Sequence, residues 1–259
     1  MIKLIAIDAD GTLLDSSSKI SKANQAAINK CIQTGLKVVL ITGKNLKSAR
    51  RIIDTFSPPN PHVVSNGTLI VDQGLQHLDY RLIDPGSFKA IVKFARKTGQ
   101  LLLTSTLDGD LLYEKTLHGI EHKHYMRKVE DLLAQEVTSQ VLLATILRRQ
   151  DCEPIKYHHI APDKKGIKIR DAGFNYVNIF NRQAGKTFAL KKVLGYLNLD
   201  SSQVMAIGDG QNDLGIITMA GIGVAMGNAC SQLKKAADFV TEDLDHDGVS
   251  KALSRVLGI

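Results

Sequence analysis

Two carboxylates near the start of the chain, Asp8 and Asp10, have the residue types and the spacing to do chemistry. They follow residues 4–7, a short apolar run rich in β-branched residues that predicts a strand buried on both faces. In open α/β sheets, ligands bind just beyond the carboxyl ends of the strands, so carboxylates at this point are placed for catalysis. An ordinary acidic turn closed by Gly11 is the alternative that these residues alone leave open.

The composition limits the classes of protein to which the chain can belong. Its 259 residues could form one large domain or two modest ones, and its net charge of +7 favours anionic ligands. The chain has no long run of Lys or Arg and no Trp, so we expect no nucleic-acid partner. The cysteines, Cys31, Cys152 and Cys230, are too few and too far apart for a disulfide framework or a zinc site.

The sequence also lacks the patterns of export and of membrane insertion. Met1 leads directly into the first predicted strand, without the charged segment and cleavage site of a signal peptide. No apolar run approaches the roughly 20 residues that a membrane span needs. We therefore expect a cytoplasmic protein with no membrane partner.

Predicted strands and helices alternate at both ends of the chain, which is typical of a parallel α/β sheet. The N-terminal elements are a strand at 4–7, a helix capped by Ser21, a strand at 36–41, a helix at 44–56 and a strand at 63–64. The C-terminal elements are helices at 186–197, 213–220, 231–236 and 249–256, with strands at 203–207, 223–226 and 239–240 between them.

The middle of the chain does not alternate in this way. Asp84-Pro85-Gly86 marks a boundary, after which the pattern predicts a helix at 87–98 and a charged, helix-like stretch within 113–150. Short strands are predicted at 101–104, 155–160, 167–169 and 176–180. This mixture predicts an α+β domain at about residues 83–180, inserted into a core formed by residues 1–82 and 181–259.

Residues 8–14 (DADGTLL) resemble the opening motif of the haloacid dehalogenase superfamily of phosphatases. Further motifs of that family follow in the expected order, and these are Ile41–Lys44, Lys186 at a helix start, and Gly208–Asp213. Residues 65–67 and 223–229 resemble the Cof-type subgroup, which carries a large cap domain. The resemblance implies a Rossmann-like core with a parallel sheet, and an inserted α+β cap that closes on the core and recognises the leaving group.

The resemblance implies different roles for the two N-terminal carboxylates, which their spacing alone does not separate. Asp8 would be the nucleophile that forms an aspartyl-phosphate, and Asp10 would be the general acid and then the general base. Mg²⁺ with oxygen ligands would neutralise the charge that a carboxylate and a phosphate bring together. The implied ligands are Asp8, the Asp10 carbonyl, Asp209 and Asp213, the last either binding the metal or supporting its ligands. A helix N-cap and a first-turn acid remain the alternative for Asp209 and Asp213.

The implied phosphate-binding residues are Ala9, Thr42, Gly43, Lys186 and Asn212. The Thr42 hydroxyl and the next backbone N–H can hold a phosphate oxygen, or Thr42 can instead cap the following helix. Lys186 is a cation at a helix start, where the helix dipole disfavours it unless an anion lies nearby. In the family this lysine binds the phosphate and screens the nucleophile, and Asn212 is implied as a neutral donor.

These features together predict a Mg²⁺-dependent phosphatase acting on a small phosphorylated metabolite, and the resemblance to the family implies sugar phosphates and pyridoxal phosphate as candidate substrates. A phosphomutase, or a non-catalytic protein that binds a phosphate ligand, is the alternative, and we expect a monomer or a homodimer. Substrate selectivity is expected in the insert, at an exposed turn of residues 108–110 and at its histidines, which are His118, His122, His124, His158 and His159. An exposed helix face explains the spacing of His118 and His122 better than a metal pair does.

Overall fold

A computed structural model gives the positions of residues 1–55, 60–114, 124–147, 160, 166–171 and 176–258. The chain divides into two compact units. Unit 1 consists of Met1–Lys44, Ala49–Asp79 and Gly185–Ile259, and unit 2 consists of Asn45–Ser48 and Tyr80–Ala184. The breaks after residues 79 and 184 lie near the boundaries that the sequence predicts, after residues 82 and 180.

The N-terminal segment begins with alternating strands and helices and ends in a hairpin. Its elements are β1 (Leu4–Ile7), α1 (Lys22–Gln33), β2 (Lys37–Leu40), α2 (Leu46–Ile53), β3 (His62–Val64), β4 (Leu69–Val71) and β5 (His77–Tyr80). Ser21 caps α1 as the sequence predicts, because its hydroxyl oxygen accepts the N–H of Asn24 at 3.1 Å.

The inserted segment contains mostly strands. Its elements are α3 (Pro85–Thr98), β6 (Leu101–Thr106), β7 (Leu111–Tyr113), β8 (Met126–Lys128), α4 (Gln135–Thr138), β9 (Val141–Leu147), β10 (Ile167–Asp171) and β11 (Tyr176–Asn181). The C-terminal segment returns to alternation, with α5 (Lys186–Leu197), β12 (Val204–Gly208), α6 (Leu214–Met219), β13 (Ile222–Ala225), α7 (Ser231–Ala236), β14 (Phe239–Val240) and α8 (Gly248–Leu257). The sequence thus locates each of these C-terminal elements to within two residues.

The central sheet of unit 1 has the strand order β14-β13-β12-β1-β2, and all of its paired strands are parallel. β1 lies between β12 and β2 and is fully buried, which explains its continuous apolar sequence. The register pairs Ile7 with Leu40 on β2 and with Ile207 on β12. These strands therefore end at the same edge, and the polar residues that follow them come together there.

β3 departs from the prediction, which places residues 63–64 in the parallel sheet. It pairs antiparallel with β4 in a separate sheet of order β3-β4-β5, and a single parallel bridge from Ile41 to Val63 links it to the chain after β2. The backbone N–H of Leu40 on β2 donates to Nδ1 of the buried His62 side chain at 3.1 Å, and not to a backbone carbonyl of β3. A two-residue apolar pattern is too short to specify which neighbour a strand will pair with.

Unit 2 contains a six-stranded sheet of order β10-β11-β9-β6-β7-β8, with antiparallel pairing except between β7 and β8. α3 packs against it, and Phe88, Ile91 and Val92 join a buried apolar cluster with residues of β9 and β11. This is the α+β architecture predicted for the insert. The predicted fold class, a parallel α/β core with an inserted α+β domain, is confirmed.

The helix-like stretch predicted within residues 113–150 is wrong for the described part of that range. That part holds β8, the short α4 and β9. β9 pairs with β6 on one side and with β11 on the other, and it is almost entirely buried. β9 was not assigned from the sequence, because a continuous apolar run suits a buried strand or a buried helix and only its pairing separates the two. The strand predicted at 155–160 lies outside the described residues apart from Ile160.

The cysteines and the helices bear on two further expectations. Cys31 is buried, Cys230 is exposed, and both are free thiols, whereas Cys152 is not among the described residues. No helix in the described part of the chain combines the length and the apolar character needed to cross a bilayer.

Candidate active site

The site is built on the loops that follow β1 and β12. Asp8 comes directly after β1, and its N–H donates to the carbonyl of Ile207 on β12 at 3.1 Å. Gly11 then turns the chain with a φ of +79°, and a Cβ at this position would lie 2.4 Å from Oδ2 of Asp209. Only glycine permits both this backbone angle and this close approach. The strand-end loops can therefore bring Asp8 and Asp209 together.

Three carboxylates, Asp8, Asp209 and Asp213, converge at this point, with oxygens that all lie within 4.8 Å of one another. Burial raises the pKa of Asp8 well above its ordinary value, and the charges of the other two carboxylates raise it further against the opposing effect of Lys186. Burial likewise raises the pKa of Asp209 to about 6, with Asp213 as the next contributor. The cluster therefore opposes its own full ionisation and calls for positive charge.

Lys186 supplies one positive charge from the first residue of α5. Its Nζ lies 2.6 Å from Oδ1 of Asp8 and 2.7 Å from Oδ1 of Asp213, and its side chain is almost fully buried. Burial alone would lower the pKa of Lys186, but the charges of Asp213 and Asp8 outweigh it and raise the pKa above its ordinary value. The helix dipole disfavours a cation at this position, and the carboxylates of Asp8 and Asp213 offset that effect.

Asp213 uses both of its oxygens. Oδ1 accepts from Lys186, while Oδ2 accepts the N–H groups of Asp209 at 3.2 Å and of Gly210 at 3.0 Å. The alternative that Asp213 is a first-turn acid holds in part. Asp213 lies in a short 3₁₀ turn before α6, and its side chain accepts the N–H of Gly210 at the start of that turn. The same bonds fix the position of Asp209.

Thr12 also contacts the carboxylate cluster, although the sequence did not predict a role for it in the site. Its buried hydroxyl donates to Oδ1 of Asp209 at 2.9 Å, and this bond opposes the rise in the pKa of Asp209. Thr12 belongs to the same motif as Asp8 and Asp10, so the motif itself was the available signal.

Asp10 does not join the carboxylate cluster through its side chain. That side chain is 61% exposed, and its Oδ1 lies 2.6 Å from Nζ of Lys44. Lys44 ends the motif Ile41–Lys44 and was not predicted to take part in the site. Asp10 is therefore held beside the cluster in a more open position.

Thr42 and Ala9 are both fully buried at strand ends. Oγ1 of Thr42 accepts the N–H of Lys44 at 3.1 Å. The helix-cap alternative for Thr42 is excluded, because α2 begins at Leu46 and its first turn is capped by Asn45, whose Oδ1 accepts the N–H of Ser48 at 2.9 Å. The Ala9 carbonyl accepts N–H groups of the turn that follows it.

Asn212 contacts a residue that was noted only as a mark of the subgroup. Its Nδ2 donates to Oδ1 of Asn66 at 3.0 Å. Asn66 is buried, and a Cβ on Gly43 would lie 3.2 Å from the same oxygen. Two of the predicted phosphate-binding residues, Gly43 and Asn212, thus share the Asn66 side chain as a neighbour.

The structure describes only some of the residues that were predicted to confer substrate selectivity in the insert. His118, His122, His158 and His159 lie outside the described residues, and His124 is exposed in a turn before β8. The expectation of an exposed turn at 108–110 is wrong for Gly109 and Asp110, which are buried within unit 2. Asp110 forms ion pairs with Lys47 and with Arg127, the latter at 3.5 Å, and these pairs hold the turn in place.

The whole length of the chain has known relatives. Residues 5–253 match the family of haloacid dehalogenase-like hydrolases. The 5-amino-6-(5-phospho-D-ribitylamino)uracil phosphatase YcsE of Bacillus subtilis is 30% identical over 252 residues, which cover 97% of this chain and 94% of the relative. The phosphoglycolate phosphatase of Methanobrevibacter smithii is 25% identical over 255 residues, which cover 98% of each chain.

Solved structures share the fold. A haloacid dehalogenase-like hydrolase from Bacteroides thetaiotaomicron superposes with a TM-score of 0.86 at 26% identity, covering 99% of this chain and 100% of that chain. BT1666, a phosphatase from the same organism, superposes with a TM-score of 0.84 at 25% identity, covering 98% and 95%. The predicted resemblance is thereby confirmed: the chain belongs to the haloacid dehalogenase-like hydrolase family, and it is a phosphatase of that family.

Proposed function

We propose that this phosphatase hydrolyses a small phosphate monoester with the help of Mg²⁺, through an aspartyl-phosphate formed on Asp8. The observation that supports the proposal is the buried arrangement of charges after β1 and β12. There Lys186 bridges Asp8 and Asp213, and Asp209 adds a third carboxylate. Transfer of a phosphoryl group needs this combination of nucleophile, positive charge and fixed donors.

The residues fit a hard divalent cation. Mg²⁺ binds carboxylate oxygens together with phosphate oxygens and water, and when bound here it would neutralise charge on the transferring phosphoryl group. The proposed Mg²⁺ ligands are the side chains of Asp8 and Asp209 and the backbone carbonyl of Asp10. Because both oxygens of Asp213 accept hydrogen bonds, we assign it to holding Lys186 and the Asp209 loop rather than to the metal.

In the first half-reaction, an oxygen of Asp8 attacks the phosphorus and the ester oxygen leaves. Lys186 reduces the repulsion between the Asp8 carboxylate and the phosphate, because its ammonium already contacts Asp8. Asp10 donates a proton to the leaving oxygen from its more open position. The phosphoryl oxygens are bound by Ala9, Thr42, Gly43, Lys186 and Asn212.

In the second half-reaction, a water molecule attacks the phosphorus of the aspartyl-phosphate. Asp10 now accepts a proton from this water, so it acts as general base. The bond between the phosphorus and the Asp8 oxygen breaks, the carboxylate is restored, and inorganic phosphate leaves.

The proposed substrate class draws on the relatives. YcsE and a second Bacillus subtilis protein, YwtE, which is 27% identical over 290 residues, are both named for 5-amino-6-(5-phospho-D-ribitylamino)uracil. The Methanobrevibacter relative is named for phosphoglycolate. All of these are small phosphate monoesters, so we propose a small phosphorylated metabolite, with sugar phosphates and pyridoxal phosphate among the candidates.

Phosphate release from a panel of such esters, with p-nitrophenyl phosphate added, tests the proposal. We expect turnover with Mg²⁺, none in EDTA, and poor replacement by Ca²⁺, whose looser coordination misplaces the reacting groups. Asp8→Asn keeps the side-chain shape but removes the nucleophile, so kcat should fall by about 10³-fold or more. Asp54→Asn, at the exposed end of α2, is the control and should keep full activity.

Each alternative has its own outcome in this assay. Activity above about a tenth of the wild-type value in Asp8→Asn contradicts the covalent mechanism. A rate that depends on an added bisphosphate, with little phosphate released, identifies a phosphomutase. Binding of phosphate without turnover of any ester identifies a non-catalytic protein.

A further inference from the structure

We propose that Asn66, in the turn Ser65–Gly67, is a positioning residue of the phosphate site: it orients the Asn212 amide and, through its turn, fixes the loop of residues 42–44. This inference rests on the proposed function, because the groups that it positions are those proposed to hold the phosphoryl group. It assigns a mechanical role to a turn that the sequence marks only as a feature of the subgroup.

The turn has an unfavourable backbone conformation. Three successive residues have positive φ, with +51° at Ser65, +58° at Asn66 and +85° at Gly67, and all three are buried. Gly and Asn accept this region readily, whereas Ser does not. The Ser65 hydroxyl has no hydrogen-bond partner among the described residues, so its side chain does not compensate. Such a conformation persists where its surroundings require it, often at a functional site.

The conformation directs two backbone N–H groups at the proposed phosphate loop. The Ser65 N–H donates to the carbonyl of Lys44 at 2.7 Å, and the Asn66 N–H donates to the carbonyl of Thr42 at 3.0 Å. These carbonyls flank Gly43, whose N–H is a proposed phosphate donor. The loop is therefore fixed on both sides of that donor, and its peptide groups cannot rotate away.

The Asn66 side chain makes a third connection. Its Oδ1 accepts from Nδ2 of Asn212 at 3.0 Å, across 146 positions of sequence. The same amide lies against Gly43, since a Cβ there would be 3.2 Å from Oδ1 and 3.5 Å from Nδ2. Asn212 is only half-buried, so without this bond its carboxamide could turn. The bond selects one orientation of the donor before phosphate arrives.

The turn also contacts the start of α5. A Cβ on Gly67 would lie 2.3 Å from the carbonyl carbon of Gly185 and 2.6 Å from the backbone nitrogen of Lys186. The turn thus touches three separate segments that carry proposed phosphate ligands: the loop of residues 42–44, Asn212 and Lys186. A structure in contact with all three can set their spacing without touching the substrate itself.

Asn66→Gly tests the proposal, because glycine keeps the positive φ and removes only the amide. The readout is the constant for competitive inhibition by inorganic phosphate with Mg²⁺ present. We expect this constant to rise by about 3- to 10-fold, as for a lost hydrogen bond, with little change in Tm. Asn212→Ala should give a similar rise, and the double variant should be no worse than Asn212→Ala alone.

Asn198→Gly is the matched control, since Asn198 also has a positive φ of +52° but is exposed at the end of α5. It should leave inhibition by phosphate unchanged. An unchanged inhibition constant in a folded Asn66→Gly protein, or additive effects in the double variant, would overturn the proposal.

Asn66→Asp keeps the test decisive if Asn66→Gly does not fold. Aspartate also adopts positive φ and keeps the oxygen that accepts from Asn212, but it places a negative charge against Gly43, so repulsion of the phosphate should raise the inhibition constant further than in Asn66→Gly. A wild-type constant in Asn66→Asp would show that the side chain at this position does not adjoin the phosphate-binding loop, and it would overturn the proposal. The rise in Tm caused by phosphate and Mg²⁺ reports the same binding without turnover. Loss of the Asn66 effect is thus distinguishable from failure of the catalytic proposal, which activity in Asp8→Asn would reveal.

Discussion

Asp213 allows Lys186 to remain charged in a buried position and still act on Asp8. Two backbone N–H groups hold Asp213, which in turn holds the ammonium at 2.7 Å. In the proposed mechanism, the ammonium is therefore already in contact with Asp8 before a phosphate binds, so this charge need not be moved into place during the reaction. At the scale of single residues, the site separates Asp213, which anchors Lys186, from Asp8, the proposed nucleophile.

Gly11→Ala should damage the site more than it damages the fold. The added Cβ would lie 2.4 Å from Oδ2 of Asp209, so this carboxylate must move. We expect the activity and the affinity for Mg²⁺ to fall by about 10- to 100-fold, as for a misplaced metal ligand. Activity against p-nitrophenyl phosphate, titrated with Mg²⁺, measures both.

Gly35→Ala provides the matched control. Gly35 follows α1 with a φ of +85°, and a Cβ there would meet nothing within 4 Å. Both variants should lose about 1 kcal/mol of stability from the strained backbone, but only Gly11→Ala should lose activity. Equal activities in the two variants would show that Asp209 does not depend on the space that Gly11 leaves.

At the scale of elements, the junction of β2 and β3 depends on a neutral histidine. Burial lowers the pKa of His62 from 6.5 to about 4, and its Nδ1 accepts the N–H of Leu40. The unfolded chain takes up a proton below pH 6.5, whereas the folded chain does so only near pH 4. The contribution of neutral His62 to the free energy of unfolding is therefore present at neutral pH. It is lost as the pH falls from 6.5 to about 4, by about 3 kcal/mol in total.

His62→Gln tests this linkage, since a glutamine can accept the Leu40 N–H without titrating. Urea unfolding of both proteins at pH 7 and pH 5 gives four free energies. We expect the wild type to lose about 2 kcal/mol more than the variant between these pH values. His124→Gln, at an exposed histidine, should behave like the wild type. Parallel losses in the wild type and His62→Gln would refute the linkage.

Local signals were enough for some elements and not for others. The bounds of α5 follow from its apolar spacing, and the start of α1 follows from Ser21. β9 was not predicted as a strand because a continuous apolar run carries no period, and β3 was placed in the wrong sheet because two apolar residues do not specify a pairing partner. Asn66 was not predicted to act in the site, because its contact with Asn212 spans 146 positions and leaves no local pattern.

At the scale of the molecule, unit 1 is assembled from segments on both sides of the insert. Every residue proposed to bind metal or phosphate lies in it, together with Asp213, which holds Lys186; the proposed ligands are Asp8, Ala9, Asp10, Thr42, Gly43, Lys186, Asp209 and Asn212. Its central sheet draws β1 and β2 from one side and β12, β13 and β14 from the other. Unit 1 should therefore fold and bind its ligands when residues 81–184 are replaced by a linker.

The length of that linker follows from the contacts of unit 1. Nζ of Lys192 lies 3.6 Å from Oδ2 of Asp79, just before the break. Lys192 is seven residues after Gly185 along α5, which corresponds to about 10 Å of helix. With the side-chain lengths added, the ends to be joined are about 10–20 Å apart. A flexible Gly/Ser linker of about nine residues spans this distance without strain.

We expect this shortened chain to unfold cooperatively on heating and to gain stability from Mg²⁺ and phosphate. The gain should approach 3 kcal/mol when the ligand is at about 100 times its Kd. Asn45–Ser48 group with unit 2, so the start of α2 should fray, but the sheet and the carboxylate cluster do not depend on it. Asp209→Asn in the same shortened chain is the control, and it should abolish the stabilisation by Mg²⁺. A chain that shows no cooperative transition with linkers of two lengths, or a stabilisation that persists in Asp209→Asn, would mean that unit 1 does not carry the metal and phosphate site by itself.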